Sequence, residues 1–311
     1  MVSAYFTIGS KCNHKCIFCP CHWEKRDQEI ELSVFEKMIH EIETKGNINS
    51  VILSGGEPTI QSNFFELLAC LNNTKFHVRL LTNSDRLSNS DMVRKIRSII
   101  SPYKMDIVTA IHSDDSKIHD SITGCVGSFI RTNKGLHNMI QEGYHVNLKF
   151  CISRINYKCM SNFVDFIYDN FPDSVSLSFC SIDYCGRADV NSTAVAVEFK
   201  EIKRYLEEAL EKVENYENID RKRNVIVTNT PLCSIDPKYW KYFISDSKKN
   251  MEAFLPLPIE GTGMIKYNSA SGSGTFFDTC RECEVEKYCA GTWYSTYKKF
   301  GEKSVTAIRI G

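Results

Sequence analysis

Cys12, Cys16 and Cys19 fall within Lys11-Cys12-Asn13-His14-Lys15-Cys16-Ile17-Phe18-Cys19, a C-x3-C-x2-C spacing. Three thiolates on one short loop can hold three corners of an iron–sulfur cube and leave the fourth iron open. An open iron can bind a substrate or cofactor, whereas a closed four-cysteine site suits electron transfer. The same spacing also fits a zinc knuckle with His14 or His22 as fourth ligand. Further along, Ser54-Gly55-Gly56-Glu57-Pro58-Thr59 follows the apolar run Val51-Ile52-Leu53. That pattern reads as a strand ending in a tight turn. Glycines there let main-chain groups approach a ligand closely. Glu57 is a candidate acceptor for an ammonium group, although an ordinary strand-to-helix turn has the same pattern.

A second cysteine set lies near the C-terminus, in Cys280-Arg281-Glu282-Cys283 and then Cys289-Ala290-Gly291-Thr292-Trp293. Three thiolates need a fourth ligand to close a site. Cys233, in Thr230-Pro231-Leu232-Cys233, is the candidate, because a proline-led loop can fold back onto the later cysteines. A closed set of four suits either a second iron–sulfur cluster or structural zinc, and spacing does not separate the two.

The two N-terminal motifs, in this order, resemble the radical S-adenosylmethionine (SAM) superfamily. The resemblance implies that Cys12, Cys16 and Cys19 hold a four-iron four-sulfur cluster. It implies that the turn at Gly55, Gly56 and Glu57 binds the methionine amino group of SAM. Ile118-His119-Asp120, Thr123-Gly124, Gly127-Ser128-Phe129 and Arg131-Thr132 follow a pattern similar to peptide-modifying members. The C-terminal cysteines are similar to the SPASM or twitch extensions of those members, which favours a second four-iron four-sulfur cluster. The longer SPASM pattern continues with a cysteine about where Trp293 stands. The twitch form, with one auxiliary cluster, is therefore the better match.

The chemistry implied is reductive cleavage of SAM to methionine and a 5′-deoxyadenosyl radical, which removes a hydrogen atom from an unactivated carbon. The expected substrate is a ribosomally made peptide that gains a crosslink, thioether or epimerised residue. A radical SAM oxidoreductase or decarboxylase acting on a sugar, nucleotide or amino acid is the alternative. A third reading is an iron–sulfur or zinc scaffold without activity, and the turn after the strand counts against it. No separate peptide-binding domain fits before Cys12, which counts against the peptide. An electron donor such as flavodoxin or ferredoxin is the expected partner.

Composition narrows the setting. The 311 residues suffice for one large domain, or one domain with a small partner. With 38 basic and 38 acidic side chains the formal charge is zero, so nothing favours a nucleic-acid groove. Arg221-Lys222-Arg223 reads as a solvated turn. No apolar stretch of about twenty residues exists, so no membrane span is expected. Fourteen cysteines without an export signal point to metal ligation in a reducing, cytoplasmic compartment rather than to disulfides.

The elements that must position these groups alternate in βα fashion. Strands are expected over residues 4–8, 51–53, 78–81, 107–111, 146–152 and 175–179, with helices such as 128–142 and 161–170 between them. The first helix should start at Ser33 with Glu36 closing a capping box, and Lys45-Gly46 should end it. Six βα units cannot close an eight-stranded barrel, so the expected fold class is α/β, a partial (β/α)6 TIM-like barrel. A barrel over residues 1–189 should be followed by a helical linker and a small twitch-like domain over 190–311. The second part contains a long helix at 197–215 and a short strand at 225–227. Residues 259–275, rich in glycine and serine, read as a loop.

In βα barrels the chemistry sits at the C-terminal ends of the strands. The cysteine loop, the turn at Glu57, Asn83, Ser113 and Cys180 all fall on that rim. Phe18, Asn83, Ser113 and the mid-strand Lys149 are candidate cofactor contacts beside Gly55, Gly56 and Glu57. Seven cysteines remain: Cys21, Cys70, Cys125, Cys151, Cys159, Cys180 and Cys185. Most read as small buried hydrophobes. Cys180 and Cys185 lie near the rim and are the candidate catalytic thiols, as hydrogen-atom donors or as acid and base.

Overall fold

The computed structural model describes residues 2–20, 28–46, 48–243, 256–257 and 274–310. Cys21, His22 and residues 259–273 of the glycine–serine stretch lie outside them. The strands are β1 (Val2–Thr7), β2 (Ile48–Ser54), β3 (His77–Leu81), β4 (Met105–Ala110), β5 (His145–Ile152), β6 (Ser176–Ser181), β7 (Val225–Thr228) and the two-residue β8 (Pro256–Leu257). They form one parallel sheet in the order β7-β6-β5-β4-β3-β2-β1-β8. Parallel neighbours need a crossover, usually a helix. Here the crossovers carry α1 (Leu32–Lys45), α2 (Phe64–Asn72), α3 (Ser90–Ile99), α4 (Ser116–Thr123), α5 (Ser128–Gln141) and α6 (Met160–Asn170). The six expected βα repeats are present as the wall of a partial barrel. The strand expected at 225–227 extends it as β7, and β8 adds an edge beside β1. Beyond β6 come the short α7 (Arg187–Val190) and α8 (Ser192–Val195), the long α9 (Phe199–Asn218), and α10 (Tyr294–Phe300) near the C-terminus.

The period of two along each strand separates two faces. Ala4, Phe6, Val51, Leu53, Val78, Leu80, Phe150 and Phe179 are buried in the main core under the helices. The alternate residues make a polar inner face. Hydrogen bonds run across it between Ser3 and Ser50 (2.6 Å), and from Tyr5 to Ser54 (2.5 Å). Lys149, Cys151 and Cys180 belong to this inner register, because Phe150 and Phe179 go outward.

Two local expectations fail. The Ser33–Glu36 capping box does not form. Helix α1 starts at Leu32, with Glu31 as a cap that makes no side-chain bond. The cause is upstream: the Ile30 N–H donates to Ile8 O (3.0 Å), so the approach to β1 fixes where the helix can begin. The C-terminal stop holds, with Gly46 at φ +73°. A true capping box closes α9 instead, between Glu198 and Glu201.

The second failure is Arg223. It is not solvated but only 5% exposed. The C-terminal turn of α6 leaves carbonyls without intrahelical partners. The Arg223 guanidinium donates to the carbonyls of Phe171 (3.1 Å) and Pro172 (3.1 Å), as well as those of Ile167 and Val175. It also lies 4.7 Å from the centre of the Tyr168 ring. No helix among the described residues is long and apolar enough to cross a membrane.

Removing Arg223 strands several buried carbonyls at once. Arg223→Met should cost about 3 kcal/mol, the scale of a buried charged donor lost from its acceptors. Urea unfolding should show a lower midpoint, with Arg223→Lys recovering only part, since an ammonium cannot fork across four acceptors. An unchanged midpoint would remove this helix clamp from the account.

Candidate active site

The loop that carries Cys12, Cys16 and Cys19 leaves β1 and is held from two sides. On the first side stands the turn after β2. The Gly56 N–H donates to Gly9 O (2.7 Å) and the Glu57 N–H to Lys11 O (2.8 Å). A Cβ on Gly56 would stand 2.1 Å from Lys11 O, and one on Gly55, at φ +132°, 2.3 Å from Gly9 O. The glycines thus permit a close approach, but the partner is the chain's own backbone just before Cys12. Gln61 adds a clamp from its Nε2 to Lys11 O (2.9 Å) and Glu57 O (2.8 Å).

On the second side stands the end of α4. The Lys15 N–H donates to Thr123 O and the Ile17 N–H to Ile122 O, both at 2.8 Å. These carbonyls belong to the last turn of the helix, where acceptors are free. Asp120 caps α5, accepting from the Phe129 N–H (2.8 Å), the Ser128 hydroxyl (2.8 Å) and the Gly127 N–H (2.5 Å). His14 Nε2 pairs with Asp85 (3.1 Å) just after β3. Arg131 Nε donates to both oxygens of Asp85 (3.0 and 2.9 Å), and its far nitrogen to Cys125 Sγ (3.2 Å). The motif from Ile118 to Thr132 therefore braces the cysteine loop.

Burial pushes the Asp85 carboxyl up, but bonds from His14 and Arg131 outweigh this and hold it below its ordinary value. Its pairing contributes stability above the unfolded carboxyl value, and that contribution fades as pH falls through the lowered one. His119 is driven down to about 4 by burial, so it is neutral at pH 7. Its Nδ1 accepts the His112 N–H (3.2 Å), which locks the entry to α4.

Several candidate residues turn out to serve the scaffold. Glu57 is 1% exposed. Its carboxylate accepts from the Thr59 N–H (3.0 Å), the Thr59 hydroxyl (2.5 Å), the Thr82 hydroxyl (2.6 Å) and the Asn83 N–H (2.7 Å). These bonds, three on Oε1 and one on Oε2, tie the β2 turn to the end of β3. Ser113, expected as a cofactor contact, is fully buried. Its hydroxyl donates to Asp114 and accepts the Asp115 N–H (3.1 Å), closing the turn into α4. The Asn83 amide reaches into the cysteine loop at Asn13 (2.8 Å). Phe18 packs in a small apolar cluster with Ile122 and Ile182, edge-on to His112 at 5.1 Å. Lys149 lies on the inner face. Cys185 Sγ approaches Pro20 O at 4.0 Å, beside the cysteine loop. Burial, then Asp183, pushes that thiol up to about 12.

Cys16 is pushed up by burial first and then by Cys19 and Cys12. Its proton must leave when a metal is bound. His14, a candidate zinc ligand by sequence, instead turns its ring to Asp85.

Cys233, Cys280, Cys283 and Cys289 line one pocket near the C-terminus, with Leu232, Val285 and Ile308 among its apolar walls. Backbone amides point at the sulfurs. Leu232 (3.4 Å) and Gly291 (3.3 Å) donate to Cys289, Thr306 to Cys233 (3.4 Å), and Ile308 to Cys283 (3.4 Å). Such bonds tune the potential of an iron–sulfur cluster. Burial pushes Cys233 up to about 11, with the other three sulfurs adding to it.

Among the described residues, only His14, Asp85 and Cys125 place three metal-ligand atoms within 4.8 Å of one another. Arg131 already supplies the cation there.

Residues 6–151 match the family model described as the Radical SAM superfamily. The matched stretch holds the first cysteine set and the Glu57 turn, so residues 6–151 are similar to a radical SAM domain. The chain is 27% identical over 184 residues to an Fe-coproporphyrin III synthase of Methanosarcina barkeri (strain Fusaro / DSM 804), covering 58% of this chain and 44% of that protein. It is 25% identical over 174 residues to a probable GTP 3′,8-cyclase of Sulfurisphaera tokodaii, covering 55% of this chain and 53% of that protein. The chain thus spans about half the length of the curated relatives it matches. Its fold is similar to SuiB of Streptococcus suis bound to the precursor peptide SuiA, with TM-score 0.69 and 15% identity, over 99% of this chain and 75% of that one. It is also similar to anSMEcpe with bound AdoMet and the Cp18Cys peptide, with TM-score 0.63 and 14% identity, over 98% and 92% of the two chains.

The glycine turn yields a direct contrast. Gly56→Ala should displace the cysteine loop and lower the iron retained after anaerobic reconstitution. Gly46→Ala meets nothing within 4 Å and should cost only about 1–2 kcal/mol of backbone strain, with iron content unchanged. Equal iron in both variants would contradict the clamp.

Proposed function

We propose that this chain modifies a peptide by radical chemistry started from SAM. The observation that carries the reading is the four-cysteine pocket built onto the barrel rim. Trp293 Nε1 donates to Ser181 O (2.7 Å) at the end of β6, and the Thr292 hydroxyl to Asn229 O (3.0 Å) after β7. The likeness to SuiB and anSMEcpe, both held with peptides, runs through this region and covers 98–99% of the chain. Similarity to the cyclase and the porphyrin synthase covers 55–58% of it, and it motivates the second reading, a small metabolite.

In this reading Cys12, Cys16 and Cys19 hold one four-iron four-sulfur cluster, and Cys233, Cys280, Cys283 and Cys289 hold another. Held by Cys12, Cys16 and Cys19, such a cluster would supply the single electron for reductive cleavage of SAM to methionine and a 5′-deoxyadenosyl radical. The carbonyls of Gly55 and Gly56 orient the ammonium of SAM. Glu57 holds that turn rigid rather than touching the ligand. Asn83 and Lys149 line the polar inner face on which the substrate carbon is presented. Phe18 and Ile182 exclude water beside it. Electrons arrive from a carrier of the flavodoxin or ferredoxin class.

With dithionite the wild type should make 5′-deoxyadenosine and Cys16→Ala none. Any short peptide encoded beside the gene is the first substrate to try. A peptide that loses two hydrogens supports oxidation or crosslinking, and an unchanged mass with a new diastereomer supports epimerisation. Turnover of GTP or a porphyrin, with every peptide untouched, would contradict the peptide reading.

A further inference from the structure

Between the two cysteine sets lies a pair of thiols that neither set uses. Cys151 of β5 stands opposite Cys180 of β6 in the parallel register. Their neighbours Phe150 and Phe179 go outward, ring centres 5.7 Å apart, so both thiols share the inner face. Each is the last residue but one of its strand, which puts the pair on the rim that carries the cysteine loop. Cys151 packs against the apolar cluster of Phe18 and Ile122. Cys180 Sγ accepts from Asn229 Nδ2 (3.2 Å). Asn229, with its strained φ of +57°, is itself tied through its carbonyl to Thr292. One thiol therefore leans on the first cysteine loop and the other on the strap to the second set.

Resting on the radical reading above, we propose that Cys151 and Cys180 form a hydrogen-donating dithiol inside the barrel. Cys180 is the donor, and Cys151 resolves the thiyl radical it leaves. A carbon radical takes the hydrogen atom from Cys180, so a C–H bond forms and the S–H bond breaks. The Cys180 thiyl then bonds to Cys151 sulfur as that thiol gives up its proton. The resulting disulfide radical anion passes one electron to a carrier of the ferredoxin or flavodoxin class. Two thiols thus become one disulfide, with one hydrogen atom delivered, one proton released and one electron passed on. A dithiol reductant reopens the bridge. Adjacent parallel strands run about 4.8 Å apart, inside the range of roughly 4.4–6.8 Å between Cα atoms that a disulfide spans.

The test needs no knowledge of the substrate. The reconstituted full-length holoprotein is given SAM and dithionite in heavy water, where thiol hydrogens exchange for deuterium. The readout is the fraction of 5′-deoxyadenosine that carries one deuterium. That fraction should be high in the wild type and fall several-fold in both Cys180→Ala and Cys180→Ser. Serine keeps the size and the hydrogen bonding, but its O–H bond is too strong to yield a hydrogen atom, so a merely structural thiol would tolerate it. Separately, diamide treatment of the holoprotein followed by peptide mapping should find a Cys151–Cys180 bridge that dithiothreitol reopens. An unchanged deuterated fraction in Cys180→Ser, or bridging confined to other cysteines, would overturn the proposal. A wild type that makes no 5′-deoxyadenosine would overturn the radical reading instead, and the diamide map would still judge the pair.

Discussion

The structure depends on one close contact between backbones. The Gly55–Glu57 turn meets residues 9–11 edge to edge, through the pairs Gly56 to Gly9 (2.7 Å) and Glu57 to Lys11 (2.8 Å). There is no room at Gly56 for even a methyl group. This contact sets where the chain leaves β1, and so where Cys12 begins. The carboxylate of Glu57 reinforces it from within, because buried acceptors must be satisfied and four donors from two strand ends converge there. The carbonyls that end α4 complete the hold on the far side. A short loop with three cysteines has little apolar surface of its own to fix its shape. Its order is borrowed from main-chain hydrogen bonds on both flanks.

The same economy organises the rest of the rim. The outer face of the sheet is apolar and buried, so it fixes the register of every strand. That leaves the inner face free for polar groups and thiols. The C-terminal cysteine pocket is not a detached appendage. It is strapped to the ends of β6 and β7 by Trp293, Thr292 and the Ser295 hydroxyl, which donates to Asp183 (2.5 Å). Its sulfurs receive backbone amides, which supply polar partners in an otherwise apolar pocket.

The strands, the helical crossovers and both cysteine sets are legible in the sequence, because alternation and spacing are local signals. What escapes is set by contacts distant along the chain. The sequence shows Glu57 beside two glycines but not that Thr82 and Asn83, from another strand end, will surround it. Ser113 carries no mark that Asp114 and Asp115 will take up its hydroxyl. Arg223 sits in a basic run that looks solvated, yet the free carbonyls of α6 draw it inside. The Ser33 cap is pre-empted by a backbone bond to Ile8. Cys151 looks like an ordinary strand residue until its register partner is known to be Cys180. The one available signal was that both cysteines stand next to a phenylalanine near the end of a strand.

The central claim is that two separate cysteine sets each hold a four-iron cluster. Iron, sulfide and zinc per chain after anaerobic reconstitution test it most directly, in the wild type and in the Cys12→Ala, Cys16→Ala, Cys19→Ala triple variant. Two cubanes require about eight irons, falling to about four in the variant. Zinc at the C-terminal set, or a variant that keeps all its iron, would contradict the account.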